Sequence, residues 1–158
     1  MPRQWLELKL NRLFPASLET SKRVKEPMSY AFVEVVLVRL ARDMHSTDHI
    51  RRRLAFRDAC IVIFGFFHLL RASEIVALRV SCIQAHAGGY KLLIARSKTD
   101  RAGRGIYIPV LPSVPILGRT SQWITDLLRE WSQFGSDPFL CIRYDSKRKD
   151  MVGSPISV

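Results

Sequence analysis

The chain has 158 residues, 47% of them apolar and 25% charged, a balance that supports a folded core and excludes a wholly disordered polymer. Its 25 Lys and Arg against 14 Asp and Glu leave a net charge of +11. Such an excess favours a polyanionic partner, because each neutralised phosphate releases condensed counterions. Nucleic acid leads on this ground; an anionic membrane surface and a basic surface that only aids solubility are the alternatives.

Residues 1–14 set Trp5, Leu6, Leu8, Leu10, Leu13 and Phe14 among basic residues without a clean helical phase. Arg3, Glu7, Lys9 and Arg12 interrupt any apolar stretch here, so no signal peptide is expected. Pro15 to Pro27 reads as a polar linker in which Lys22, Arg23 and Lys25 cluster, and a boundary is expected between 1–26 and 27–158. Ser29 can cap the helix that follows, where Val33, Val36, Leu37, Leu40 and Met44 recur at helical spacing. After a polar loop, Arg51, Arg52 and Arg53 open a second helix predicted to run inward as far as Leu70. It is apolar nearly all round and so belongs at the centre of the domain. Gly65 within it permits close packing or a short break. Ala59 to Leu70, the most apolar run, is shorter than the roughly 20 residues a membrane span needs, so no membrane partner is expected.

Ser73 to Leu78 reads as a short helix with Ser73 and Glu74 in its first turn. The period then changes. Tyr90–Ala95 and Gly105–Val110 are predicted strands, joined by a polar basic hairpin tip from Arg96 to Arg104. Thr120 or Ser121 can cap a last helix with Trp123, Ile124, Leu127, Leu128, Trp131 and Phe134 on its apolar side. The spacing makes Trp123 and Trp131 core residues. An apolar extended piece, Asp137 to Ile142, precedes the basic run Arg143, Lys147, Arg148 and Lys149. The fold class expected is mainly α with a small antiparallel β-hairpin, that is, α+β. Cys60, Cys82 and Cys141 are scattered and form no metal-ligand cluster, so no metal is expected and reduced thiols in an intracellular compartment are.

Two positions carry candidate chemistry. Arg71 stands at the end of an apolar run, where a guanidinium is costly unless paired or functional. Glu74, three residues on, shares its face if the turn is helical. This is either a structural ion pair or a fixed pose for an active arginine. Lys98 lies at the hairpin tip among Arg96, Arg101 and Arg104. It is either solvated or able to reach a nucleic acid as phosphate contact or proton donor.

Phe64-Gly65-Phe66-Phe67-His68-Leu69-Leu70-Arg71-Ala72-Ser73-Glu74-Ile75-Val76-Ala77-Leu78-Arg79 resembles the first catalytic box of the tyrosine recombinases, the phage-integrase family. That box has an apolar helix, a Gly-containing turn, Arg-x-Ser-Glu and a following Leu. Ser97-Lys98-Thr99-Asp100 resembles the family's hairpin with its catalytic lysine, and Lys25-Glu26-Pro27-Met28-Ser29 resembles the junction with the N-terminal DNA-binding region. The wording is closest to recombinases of eukaryotic mobile elements, and the likeness spans residues 25–158. It implies a truncated recombinase catalytic fold acting on duplex DNA without metal or other cofactor, cutting and rejoining strands through a phosphotyrosyl intermediate. Arg71 would neutralise charge on the phosphoryl oxygens, Lys98 would protonate the leaving 5′-oxygen, and Glu74 would support Arg71. Lys22, Arg23, Lys25, Arg96, Arg101 and Arg104 would contact the DNA backbone.

The family's second box, His-x-x-Arg, and its nucleophilic Tyr are not found after the hairpin. His49–Arg52 and His68–Arg71 match that string but precede or overlap the first box. Tyr107, in a predicted strand, and Tyr144, in a predicted basic loop, do not match the nucleophile's setting, and Cys82 stands where the family often has Asp. The expectation is a chain that binds DNA and does not cleave it alone, its partners being self-association or a C-terminal completing segment, in the nucleus or the bacterial cytoplasm. The rival readings are a non-catalytic nucleic-acid-binding module of the same fold and an unrelated basic helical protein that binds RNA or a membrane surface.

Overall fold

The computed structural model describes residues 28–95, 100 and 103–156. Its first helix, α1, runs Tyr30–Met44 and starts where the sequence predicts: the Ser29 hydroxyl accepts the Phe32 N–H at 3.2 Å. Val33, Leu37, Leu40 and Met44 are buried, as their spacing requires. The second helix, α2, is His49–Val62 and begins earlier than the arginine triplet suggests. Asp48 is the reason, because its carboxylate accepts the N–H groups of Ile50 at 2.9 Å and Arg51 at 3.3 Å. α1 packs along α2, and Ala55, Phe56, Ala59 and Cys60 are buried.

The expected continuation of α2 to Leu70 is corrected. Regular helix stops at Val62, and Ile63–Phe67 forms a wider π-helical turn around Gly65. Ile63 and Phe64 still face the core, but Leu69 takes a φ of 55° and is 82% exposed. The Leu70 N–H reaches back to the Phe64 carbonyl at 3.0 Å, which closes the turn. A Cβ on Gly65 would sit 3.4 Å from Ile75 Cδ1, so this turn packs closely on the next helix, α3, at Ala72–Ala77.

A three-stranded antiparallel sheet follows in the order β1-β2-β3: Ile83–His86, Gly89–Ile94 and Ile106–Pro109. β2 and β3 match the predicted pair, whereas the short β1 has too little alternation to stand out. Residues directly opposite in such a sheet share a face. The register therefore turns Ile83, Leu92, Ile94 and Ile108 one way and Gln84, Lys91, Leu93, Tyr107 and Pro109 the other. Leu92 is fully buried and Ile94 nearly so, which marks the first set as the core face.

A small ladder of β4, Ser113–Val114, and β5, Gly118–Arg119, leads into α4, Thr120–Trp131. The cap expected from Thr120 or Ser121 is corrected: Arg119 is the N-cap and supplies no side-chain bond. Thr120 is the first helical residue, and its buried hydroxyl turns inward to donate to the Leu111 carbonyl. α4 buries Trp123, Ile124, Leu127 and Trp131, and the Trp131 indole N–H donates to the Phe139 carbonyl at 2.9 Å. The basic run read as a loop is instead a hairpin turn. β6, Ile142–Asp145, pairs with β7, Asp150–Pro155, and Tyr144 lies in β6 opposite Met151. Asp145 accepts the N–H groups of Lys147 at 2.9 Å and Arg148 at 3.4 Å, which shapes that turn. The architecture is α+β, helices with small antiparallel sheets around one apolar core.

Candidate nucleic-acid interface

Arg71 is the N-cap of α3, with φ −72° and ψ 153°. The helix restarts there because Glu74, at the third helical position, reaches back to it. Glu74 Oε2 accepts the Arg71 backbone N–H at 2.8 Å, and the Glu74 N–H donates to the Arg71 carbonyl at 2.9 Å. Glu74 Oε1 lies 3.3 Å from Arg71 Nη1. A buried carboxylate is costly unless it is paired and hydrogen-bonded, and Arg71 supplies both kinds of contact. Only 9% of the Glu74 side-chain surface is exposed, against 52% for Arg71. The guanidinium is thus held by Glu74 on the protein side, while about half of the side chain meets solvent. Its planar fork suits a phosphate or carboxylate there.

The base beneath this arginine is fixed by contacts far apart in the chain. Leu78 accepts from the Leu140 N–H at 2.8 Å, and the Val80 N–H donates to the Pro138 carbonyl at 3.0 Å. Asp137 accepts from the Ser81 backbone N–H at 2.8 Å and from its hydroxyl at 3.0 Å. Arg79 donates to the Asp137 carbonyl at 2.8 Å and stacks 3.9 Å from the centre of the Phe139 ring. No spacing in the sequence signals this clamp, since its halves are more than fifty positions apart. His68, on the other flank, joins two loops. Its Nε2 accepts the Leu111 N–H at 3.4 Å, so Nδ1 carries the proton and donates to the Ile63 carbonyl at 3.1 Å.

Lys98, Arg96 and Arg101 lie outside the described residues, as do Lys22, Arg23 and Lys25. The described ends of the hairpin tip show how it is closed. Asp100 accepts the Gly105 N–H at 2.7 Å and the Arg104 N–H at 3.3 Å through its carboxylate. Gly103 and Gly105 take φ of 62° and 71°, which a side chain disfavours. A Cβ on Gly105 would lie 3.0 Å from Leu93 Cδ1 and 3.2 Å from the Ile94 carbonyl oxygen. Arg104 is exposed. The structure therefore brings Arg71 and Glu74 together and anchors the base of the basic tip. Asp100 and Gly105 have roles there that a polar, glycine-containing stretch announces only in outline.

Arginines elsewhere are differently placed. Arg52 lies 2.7 Å from Glu130, Arg51 2.6 Å from Asp43, and Arg57, almost fully buried, 2.6 Å from Asp58. Burial pushes the Asp43 carboxyl up, but hydrogen bonds and charge from Arg51 and Arg39 outweigh it and hold the group below the usual carboxylate range. Tyr107, in β3, is half exposed, and Tyr144 is half-buried. Cys60, Cys82 and Cys141 are buried free thiols. Burial pushes the Cys60 thiol well up and the Cys141 thiol up to about 12, which leaves neither a nucleophile. Among the described residues no group of three His, Cys, Asp or Glu is placed to hold a metal, and no helix is long and apolar enough to cross a membrane. No family model matches the sequence, and no curated protein matches it.

Proposed function

We propose that this chain carries the first half of a tyrosine-recombinase phosphoryl-transfer site and docks on duplex DNA through it. The observation that carries this reading is the posture of Arg71: anchored twice by a buried glutamate, yet with half its side chain in solvent. The order of the motifs, Arg-x-Ser-Glu and then Ser-Lys-Thr-Asp before a strand, supports it, as does the net charge of +11. So does the α+β architecture, the coarse fold class expected from the sequence. Arg71 stabilises charge on the scissile phosphate, Glu74 keeps its backbone and guanidinium in register, and Lys98 protonates the leaving 5′-oxygen. The attacking tyrosine is assigned to neither Tyr107 nor Tyr144. A segment bearing His-x-x-Arg and Tyr, supplied by another polypeptide or from further along this protein, completes the site.

Nicked duplex DNA that traps covalent intermediates tests the assignment of roles. The chain should bind it, with log K falling against log[salt] by roughly 0.9 for each phosphate contacted. It should form no adduct on Tyr107 or Tyr144. A flat salt dependence overturns the DNA reading, and an adduct on either tyrosine overturns the division of the site. The same bonds favour a second reading, in which Arg71 only keeps Glu74 satisfied. Arg71→Ala separates them. A folded variant with nearly intact nonspecific binding and no contact at the scissile phosphate supports the first reading, and an unfolded one the second.

A further inference from the structure

The outer face of the β1–β3 sheet has no part in the site above, and its chemistry points to a partner. By register it carries Gln84, His86, Lys91, Leu93, Tyr107 and Pro109, and no acid. Tyr107 is 50% exposed, and Lys91 Nζ stands 4.3 Å from the centre of its ring. No carboxylate among the described residues pairs with Lys91. A ring beneath an ammonium attracts it electrostatically and restrains a flexible side chain. Less freedom is then lost when that ammonium meets an anion. The surface also adjoins the basic tip in sequence: β2 ends two residues before Arg96, and β3 begins two residues after Arg104.

We infer that this face is a second backbone contact for duplex DNA, with Lys91 meeting a phosphate and Tyr107 acting as its platform. The inference rests on the DNA-binding reading above and extends it from the tip to the sheet. Duplex fits better than single strands. Proteins that hold single strands stack successive bases on several aromatic rings. Here the register places only Tyr107 and the His86 imidazole on this face, on separate strands opposite Leu93 and Gly89, and one side of the tyrosine ring is occupied by the lysine. A single restrained cation beside exposed polar groups positions a sugar-phosphate backbone and reads no bases.

The test uses the full chain, a fluorescently labelled random-sequence duplex and a sodium chloride series, followed by anisotropy. Lys91→Ala should flatten the salt slope by about 0.9 and weaken binding about three-fold or more near physiological salt. Tyr107→Ala should weaken it less, and Tyr107→Phe should bind like the wild type because the ring remains. Arg129→Ala is the control. It removes an equal charge from the solvent side of α4, whose other side packs towards β2. Its slope should not change. Melting curves check that every variant is folded, and Lys91→Gln repeats the charge deletion with a longer side chain. A steep wild-type slope that Lys91→Ala leaves untouched overturns this inference while the DNA reading stands. Equal losses from Lys91→Ala and Arg129→Ala overturn it as well, since the field would then be diffuse. A flat wild-type slope overturns both. Tighter, Lys91-dependent binding of single-stranded RNA of equal length overturns the choice of duplex.

Discussion

Arg51, Arg52 and Arg57 on α2 each meet a carboxylate within 2.7 Å, whereas Lys91 meets a tyrosine ring and Arg71 keeps half its surface in solvent above Glu74. The α2 arginines are neutralised in place, whereas Arg71 pairs with Glu74 and still keeps solvent-exposed surface, and Lys91 has an aromatic ring for its neighbour. Net charge alone does not distinguish these cases. An arginine triplet at a helix start looks in sequence like a phosphate-binding patch, and here it ties α2 to α1, α4 and the last hairpin. On the proposed reading the cations that meet a polyanion are Arg71, Lys91 and the basic residues between β2 and β3, although Arg143, Lys147 and Lys149 of the last hairpin are exposed as well.

This contrast can be broken first by stability. Phe64→Ala, in the fully buried core, should cost about 3–5 kcal/mol in urea unfolding. Lys91→Ala, at a half-buried position, and Arg71→Ala, which leaves the buried Glu74 carboxylate without its guanidinium, should each cost less, about 1–2 kcal/mol. If Arg71→Ala costs as much as Phe64→Ala, Arg71 is structural and the contrast fails. The next effect sharpens it. Gly105→Ala forces a side chain into a φ of 71° and against the Ile94 carbonyl, which cannot move as a side chain can. It should cost about 1–2 kcal/mol by the same measurement. A neutral result would mean that the base of the tip is not tightly set.

The smallest effect belongs to the neutralised pairs. Asp43→Asn should cost about 0.5–1 kcal/mol at neutral pH, because its arginine partners are half exposed. The folded-state pKa of Asp43 lies below its ordinary value of 3.8. The carboxylate's contribution is therefore present above 3.8 and is lost as pH falls through the lowered value. Wild type and variant should converge in acid. A gap that stays constant from neutral pH to well below 3.8 contradicts the pairing.

Much of this was legible where a signal repeats along one element. The stripes of α1 and α4, the Ser29 cap and the pairing of β2 with β3 follow from local periodicity and capping chemistry. The Arg71–Glu74 pair is legible for the same reason, being three residues apart on one turn. What escapes a local reading has a different origin. The π-turn at Ile63–Phe67 uses apolar residues that fit a regular helix equally well, so Gly65 signals at most close packing or a break, and the form of the turn emerges only in the fold. The clamp of Arg79 on Asp137 and Phe139 joins segments remote in sequence. The last hairpin was hidden because its basic turn resembles a solvated loop, and the apolar piece ending at Ile142 gives no sign that Met151, nine positions on, is buried with it.

The account's central claim is that DNA meets Arg71 and the outer face of the sheet, and photo-crosslinking of the full chain to duplex DNA, with the crosslinked peptides identified by mass spectrometry, tests it most directly. Adducts should fall between Arg71 and Tyr107, diminish with rising salt and be lost from the sheet peptides in Lys91→Ala. Adducts confined to the α2 arginines, or to the turn of the last hairpin, would contradict it.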